Sequence, residues 1–299
     1  MPQHKLIRAL IIKLALVCSS AHGVPLVITS IKPLYNLTAA ISDGVFTPLL
    51  LAEDNVSEHD FQLKPSQMKQ LHNADLIFWI GPALEVNLNK PLSNIRAGKA
   101  SRMIGLAGIK LLPNRNLVDY DAEHNHAHHD HGVYDPHIWL STDNAIIMSN
   151  YITNKLIVVD PKHKAQYEQN LANFKTKLKQ HIPLWHEKLH AINNVPIVVM
   201  HDAYQYFHKL NIVGTIVVDH DIPSSIKHIR QIKQVLLEQN VKCICSEPQL
   251  NALIAKTLTE DHKIKHVVVD PLGANEDLGP NGYIALIDKL TASFYSCQP

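Results

Sequence analysis

Short apolar runs alternate with helical stretches twice along this chain, once on each side of a long amphipathic segment, and no other feature narrows the fold as far. In the first half, strands are predicted over 24–31, 46–51, 76–80 and 103–106, with helices over 33–44, 65–73 and 83–95 between them. In the second half, strands over 196–200, 212–218, 241–245 and 266–270 alternate with helices over 203–210, 224–239, 250–261 and 282–294. Continuous apolar strands that each lead into a helix argue for parallel sheets covered on both faces. In the helix after Pro223, Ile226, Ile229, Ile232 and Leu236 are predicted to share the buried side. The expected fold class is α/β: two βα lobes with largely parallel sheets, joined by one long rigid helix.

The joining segment is predicted to be helical over 142–192. Asp160-Pro161 forms a cap and first-turn pair, and Tyr167, Leu171, Phe174, Leu178 and Ile182 then recur at spacings of four and three. One long helix across both lobes is expected, kinked or ended at Pro183 because a mid-helix proline loses a hydrogen bond and clashes with the preceding turn. A single helical crossing predicts a stiff link, without large hinge closure. The expected boundaries are a signal peptide over 1–23, an N-terminal lobe over 24–141, the linking region over 142–193 and a C-terminal lobe over 194–299.

With 299 residues and 46% hydrophobic content, the chain is long enough for two cores. Its 28 basic and 27 acidic residues nearly balance, so neither nucleic acid nor an anionic membrane is indicated. A monomer is expected. Lys5 and Arg8 precede an apolar run over 9–17, broken only by Lys13, and the small residues Ser19, Ser20, Ala21 and Gly23 follow. This pattern predicts a secretory signal peptide cleaved around Gly23, and so a soluble protein exported to the periplasm. Cys18 follows the bulky Leu16 and Val17, unlike a lipidated cysteine, and is assigned to the removed peptide. No other segment approaches the roughly 20 apolar residues needed to cross a bilayer.

Cys243, Cys245 and Cys297 then remain in an oxidising compartment, where an odd number predicts one bridge and one free thiol. Cys243 and Cys245 lie two apart in a predicted strand, so they face the same way and pair poorly with each other. Cys297 is expected to bond one of them. None of the three shows the CxxC spacing of a cysteine zinc site.

The chain carries 20 histidines, about twice the ordinary share, and they are of two kinds. His124, His126, His128, His129 and His131 alternate with acidic and small residues inside 119–132, without apolar periodicity, which predicts a solvated loop that binds metal weakly. The others stand singly where strands end. His59 follows the run ending near Leu51, His137 sits in Asp135-Pro136-His137-Ile138-Trp139-Leu140, His201 directly follows 197–200, and Asp270 directly follows 267–269. In open α/β sheets ligands lie beyond the carboxyl ends of the strands. A tetrahedral zinc site takes three or four such N/O ligands, and two candidates come from each half. Singly, Asp270 and Asp202 also suit helix caps.

The runs Ser57-Glu58-His59-Asp60-Phe61-Gln62-Leu63-Lys64-Pro65-Ser66, Asn73-Ala74-Asp75-Leu76, Trp79-Ile80-Gly81-Pro82, Asp135 to Leu140, His201-Asp202-Ala203-Tyr204, Ser246-Glu247-Pro248-Gln249 and Asp270-Pro271-Leu272-Gly273 resemble those of the zinc-binding receptors of bacterial ABC-type importers. The likeness spans essentially the whole mature chain and keeps the order of the motifs. It implies two βα lobes joined by a rigid helix, with Zn2+ held between them by His59, His137 and His201. The fourth position falls to Glu58, to Asp270 or to water. It implies a histidine-rich insertion, as in the zinc branch, a permease partner in the inner membrane, and a Cys243–Cys297 disulfide, with Cys245 departing from the apolar residue usual there.

The expected function is capture of zinc in the interlobe cleft and delivery to the permease, without enzymatic chemistry. A manganese or iron receptor of the same architecture is the first alternative. A zinc hydrolase is the second; it requires an open coordination position, a base and a substrate pocket.

Overall fold

The computed structural model describes residues 23–52, 57, 59, 62–115, 117, 133–217 and 225–299. The expected signal peptide before Gly23, Glu58, and the loop histidines His124, His126, His128, His129 and His131 lie outside the described residues. The first half contains β1 (Val27–Thr29), α1 (Lys32–Ser42), β2 (Leu49–Leu50), α2 (Pro65–Asn73), β3 (Leu76–Trp79), α3 (Asn89–Ser93) and β4 (Ala100–Arg102). Next come α4 (Thr142–Val159) and α5 (Lys164–His190). The second half contains β5 (Ile197–Val199), β6 (Ile212–Thr215), α6 (Ile226–Glu238), β7 (Cys243–Ser246), α7 (Leu253–His262), β8 (Lys265–Val268) and α8 (Gly282–Tyr295).

Every ladder is parallel, and the two sheets repeat one topology, β2-β1-β3-β4 and β6-β5-β7-β8. In this order the chain runs outward in opposite directions from the central pair. The loops after β5 and β7 therefore diverge and leave a crevice at the strands' carboxyl ends.

Strand alternation sorts side chains into three cores. Leu76, Phe78 and Ile80 turn inward, while Ile77 and Trp79 face α2 and α3. In the second sheet Ile197, Val199, Cys243 and Cys245 turn inward, while Val198, Met200 and Ile244 face α6 and α7. The inward sides of both sheets join one continuous core with α1, α4, α5 and α8. The halves thus share buried apolar area, and parting them would expose it at about 25 cal/mol per Å².

The linking region differs from the expected single helix. It breaks at Asp160-Pro161: Asp160 caps the end of α4, and its carboxylate accepts hydrogen bonds from His163 (2.6 Å) and Tyr167 (2.7 Å). Burial pushes that carboxyl up, but the two bonds outweigh it and hold its pKa below the ordinary value. Of the two helices, α5, 27 residues long, packs on both α1 and α8 and so ties the halves together. Pro183 neither ends nor interrupts α5. Both Pro183 and Lys179, whose carbonyl loses its helical donor, face solvent, so that carbonyl is not buried without a partner.

Three other expectations shift. The strand placed at 103–106 lies at Ala100–Arg102, with a 3-10 turn following it. The helix over 203–210 shrinks to a 3-10 turn at Tyr204–Tyr206. In α6 the buried stripe is His228, Ile232 and Leu236, while Ile226 is exposed. Cys243 in β7 and Cys297 beyond α8 form the disulfide, with Cα atoms 5.5 Å apart, and Cys245 is a buried free thiol. No helix among the described residues is long and apolar enough to cross a membrane.

Candidate metal centre

His137 owes its position to the residue two before it. Oδ1 of Asp135 accepts from the His137 backbone N–H (2.9 Å), a tight Asx turn that Pro136 stiffens, and the same oxygen lies 2.7 Å from Nδ1 of the imidazole. A 3-10 turn at Ile138–Leu140 then buries Trp139 and anchors the segment in the common core. His201 sits where the chain leaves β5, on the crevice side. Its Nδ1 lies 2.8 Å from Oε1 of Glu247, which stands just past the end of β7. That oxygen also accepts from the Tyr204 hydroxyl (2.9 Å). Burial, and then the Glu247 carboxylate, push the Tyr204 hydroxyl well above its ordinary pKa, so it remains a donor.

A carboxylate bonded at Nδ1, as at His137, selects the Nδ1–H tautomer and leaves Nε2 as the ligand atom. Nε2 of His137 and Nε2 of His201 stand 3.2 Å apart in a buried setting. Two nitrogens bound to one tetrahedral zinc at 2.0–2.1 Å stand about 3.3 Å apart. His59, carried on the loop after β2, completes the group. Its ring lies 5.7 Å from that of His137 and 6.0 Å from that of His201, and one ligand atom from each of the three lies within 4.8 Å of the others. Three nitrogen donors from three separate elements, two of them backed by carboxylates, can hold a divalent transition-metal ion.

Asp270 stands outside this group. It follows β8, one strand beyond β7, and both its oxygens are engaged. Oδ1 accepts from Gln249 (2.9 Å), Leu272 N (3.1 Å) and Gly273 N (3.0 Å), while Oδ2 accepts from Ala274 N (2.6 Å). It shapes the turn at 271–274, in the manner of a cap. Sequence reasoning assigned no role to Asp135 or Glu247. An aspartate two residues before a proline-flanked histidine, and a glutamate at the carboxyl end of a central strand, were the signals. The three cysteines also converge, but the disulfide occupies two of them. Burial, then the charge of Glu247, raise the Cys245 thiol and keep it neutral.

Hydrogen bonds across the halves hold the crevice walls in register. Trp139 Nε1 donates to Pro271 O (2.9 Å), and the Tyr283 hydroxyl donates to Trp139 O (2.8 Å). The Tyr206 hydroxyl donates to Asp135 O (2.9 Å) and accepts from Leu112 N (2.8 Å). Arg115 grips both oxygens of Asp202, next to His201, at 2.6 and 2.7 Å. That bond, ahead of the opposing effect of burial, raises the guanidinium pKa further.

A model of the ZnuA family, described as zinc-uptake complex component A, periplasmic, matches residues 27–297. The high-affinity zinc uptake system protein ZnuA of Brucella abortus is 32% identical, covering 91% of this chain and 91% of its own. That of Yersinia pestis is 30% identical over 91% and 90%. A crystal structure of ZnuA superposes with a TM-score of 0.72 at 23% identity, covering 90% of this chain and 99% of that one. With nearly its whole length matched in sequence and in fold, the chain belongs to the family of periplasmic zinc-uptake complex component A.

Proposed function

We propose that this protein is a periplasmic solute-binding protein that captures zinc between His59, His137 and His201 and delivers it to an ABC-type permease of the inner membrane. The observation that carries this reading is the convergence of the His137 and His201 Nε2 atoms at 3.2 Å, with His59 beside them. Three imidazoles suit zinc, whereas manganese prefers harder oxygen donors. Asp135 and Glu247 orient the imidazoles and raise their basicity, and two carboxylates behind the ligands offset the charge of a dication. The shared core and interlobe bonds favour a preformed site over one assembled by wide domain closure, so release of the ion falls to the permease's contacts with the cleft rim. The protein performs no covalent step in this cycle; zinc is cargo.

The fourth position falls to Glu58, to Asp270 or to water; Asp270 stands outside the three-histidine group, and its oxygens accept hydrogen bonds from the turn at 271–274. The histidine-rich segment 119–132 serves capture: tethered imidazoles raise the local chance of catching scarce zinc and passing it inward by ligand exchange. Direct competition of zinc against manganese tests the proposal. Wild type is expected to retain zinc, and His201→Glu to move preference toward manganese. Retention of manganese over zinc by the wild type points to the alternative receptor.

A further inference from the structure

Two of the histidines on α5 lie outside everything described so far. His186 and His190 are four residues apart in its last two turns, both exposed, and so share one face. With Glu187 between them the segment reads His186-Glu187-Lys188-Leu189-His190, the HExxH spacing at which two histidines on one helical face form a bidentate nitrogen chelate for zinc. A third imidazole stands against them. The His208 ring, from the loop before β6, lies 5.6 Å from that of His186 at an interplanar angle of 42°.

We infer that His186, His190 and His208 form a second, surface site for a divalent first-row transition cation, separate from the cleft. Beyond proximity, the helix end supports it. His190 is the last residue of α5, where the negative end of the helix dipole favours a cation. The site lies at the opposite edge of the second sheet from the cleft. α5 leads into the start of β5, and Asn211 beside His208 pairs with Ile197 there, whereas His201 follows the strand's other end. The three ligand atoms do not lie within 4.8 Å of one another as the rings stand, and rotation of the exposed His186 and His190 side chains toward the half-buried His208 would bring them together.

Equilibrium dialysis of the full chain against micromolar zinc, with bound metal counted by atomic emission, tests this assignment. Wild type, His186→Ala/His190→Ala and His208→Ala all keep the cleft and the histidine-rich segment, so any difference belongs to the α5 site. Loss of a single zinc per chain in the double variant, with weakened binding of that zinc in His208→Ala, is the expected result. Both helix positions are exposed, so the variant is expected to keep its circular dichroism spectrum. A His59→Ala/His137→Ala/His201→Ala variant that loses the tightest zinc but still responds to the α5 substitutions separates the two sites. Equal stoichiometry in wild type and the double variant overturns the inference and leaves the cleft assignment untouched.

Discussion

Nε2 of His137 and Nε2 of His201 meet at 3.2 Å although 64 residues separate them and each belongs to a different half of the molecule. Behind each ring stands a buried carboxylate, Asp135 at 2.7 Å and Glu247 at 2.8 Å. Asp135→Asn and Glu247→Gln are each expected to weaken zinc binding by roughly 10–100-fold, because the imidazole loses basicity and fixed orientation. Competition against a chelator measures this. An unchanged affinity in both variants would mean that the carboxylates serve folding alone.

Gly282 opens α8 directly against Asn36 of α1, and a Cβ there would fall 2.4 Å from the Asn36 side chain. Asn36 Oδ1 also accepts from Gly279 N at 3.1 Å, so it cannot move without releasing the turn before α8. Gly282→Ala is expected to push α8 from α1 and destabilise the protein by about 1–3 kcal/mol, as overpacking does. Urea denaturation reads the loss, and Gly279→Ala, which meets no neighbour but requires positive φ, provides a contrasting mechanism.

The Cys243–Cys297 bridge closes a sequence separation of 54 residues across the second half. Its reduction is expected to cost about 2–4 kcal/mol, chiefly through the freed unfolded chain. Non-reducing peptide mapping is expected to recover this pair with Cys245 alkylated only after unfolding. A Cys245–Cys297 peptide from protein kept native would contradict the pairing.

Much of this architecture was readable in the residues. Apolar runs such as Leu76–Trp79 mark both sheets because parallel strands covered on two sides are apolar throughout. His59, His137 and His201 stood out because each follows a strand or a proline-fixed turn. The sequence did not reveal which carboxylates lie behind them, since the approach of Glu247 to His201 depends on β5 and β7 being neighbours at the crevice. Asp270 satisfied the same strand-end rule, and only tertiary structure shows its oxygens engaged by the turn at 271–274. Pro183 misled for a related reason: its cost depends on whether the orphaned carbonyl faces water, which local sequence does not specify.

Protons compete with zinc for the three imidazole nitrogens, so affinity is expected to fall as the pH is lowered from neutrality. Calorimetry across that range checks it. A flat profile would indicate oxygen ligands instead.

The most direct measurement is an anomalous difference map at the zinc edge from crystals of the full chain loaded with one equivalent of zinc. A single dominant peak is expected between the rings, about 2.0–2.1 Å from a nitrogen of each of His59, His137 and His201. A dominant peak in the histidine-rich segment or beside α5, with none in the cleft, would contradict the account.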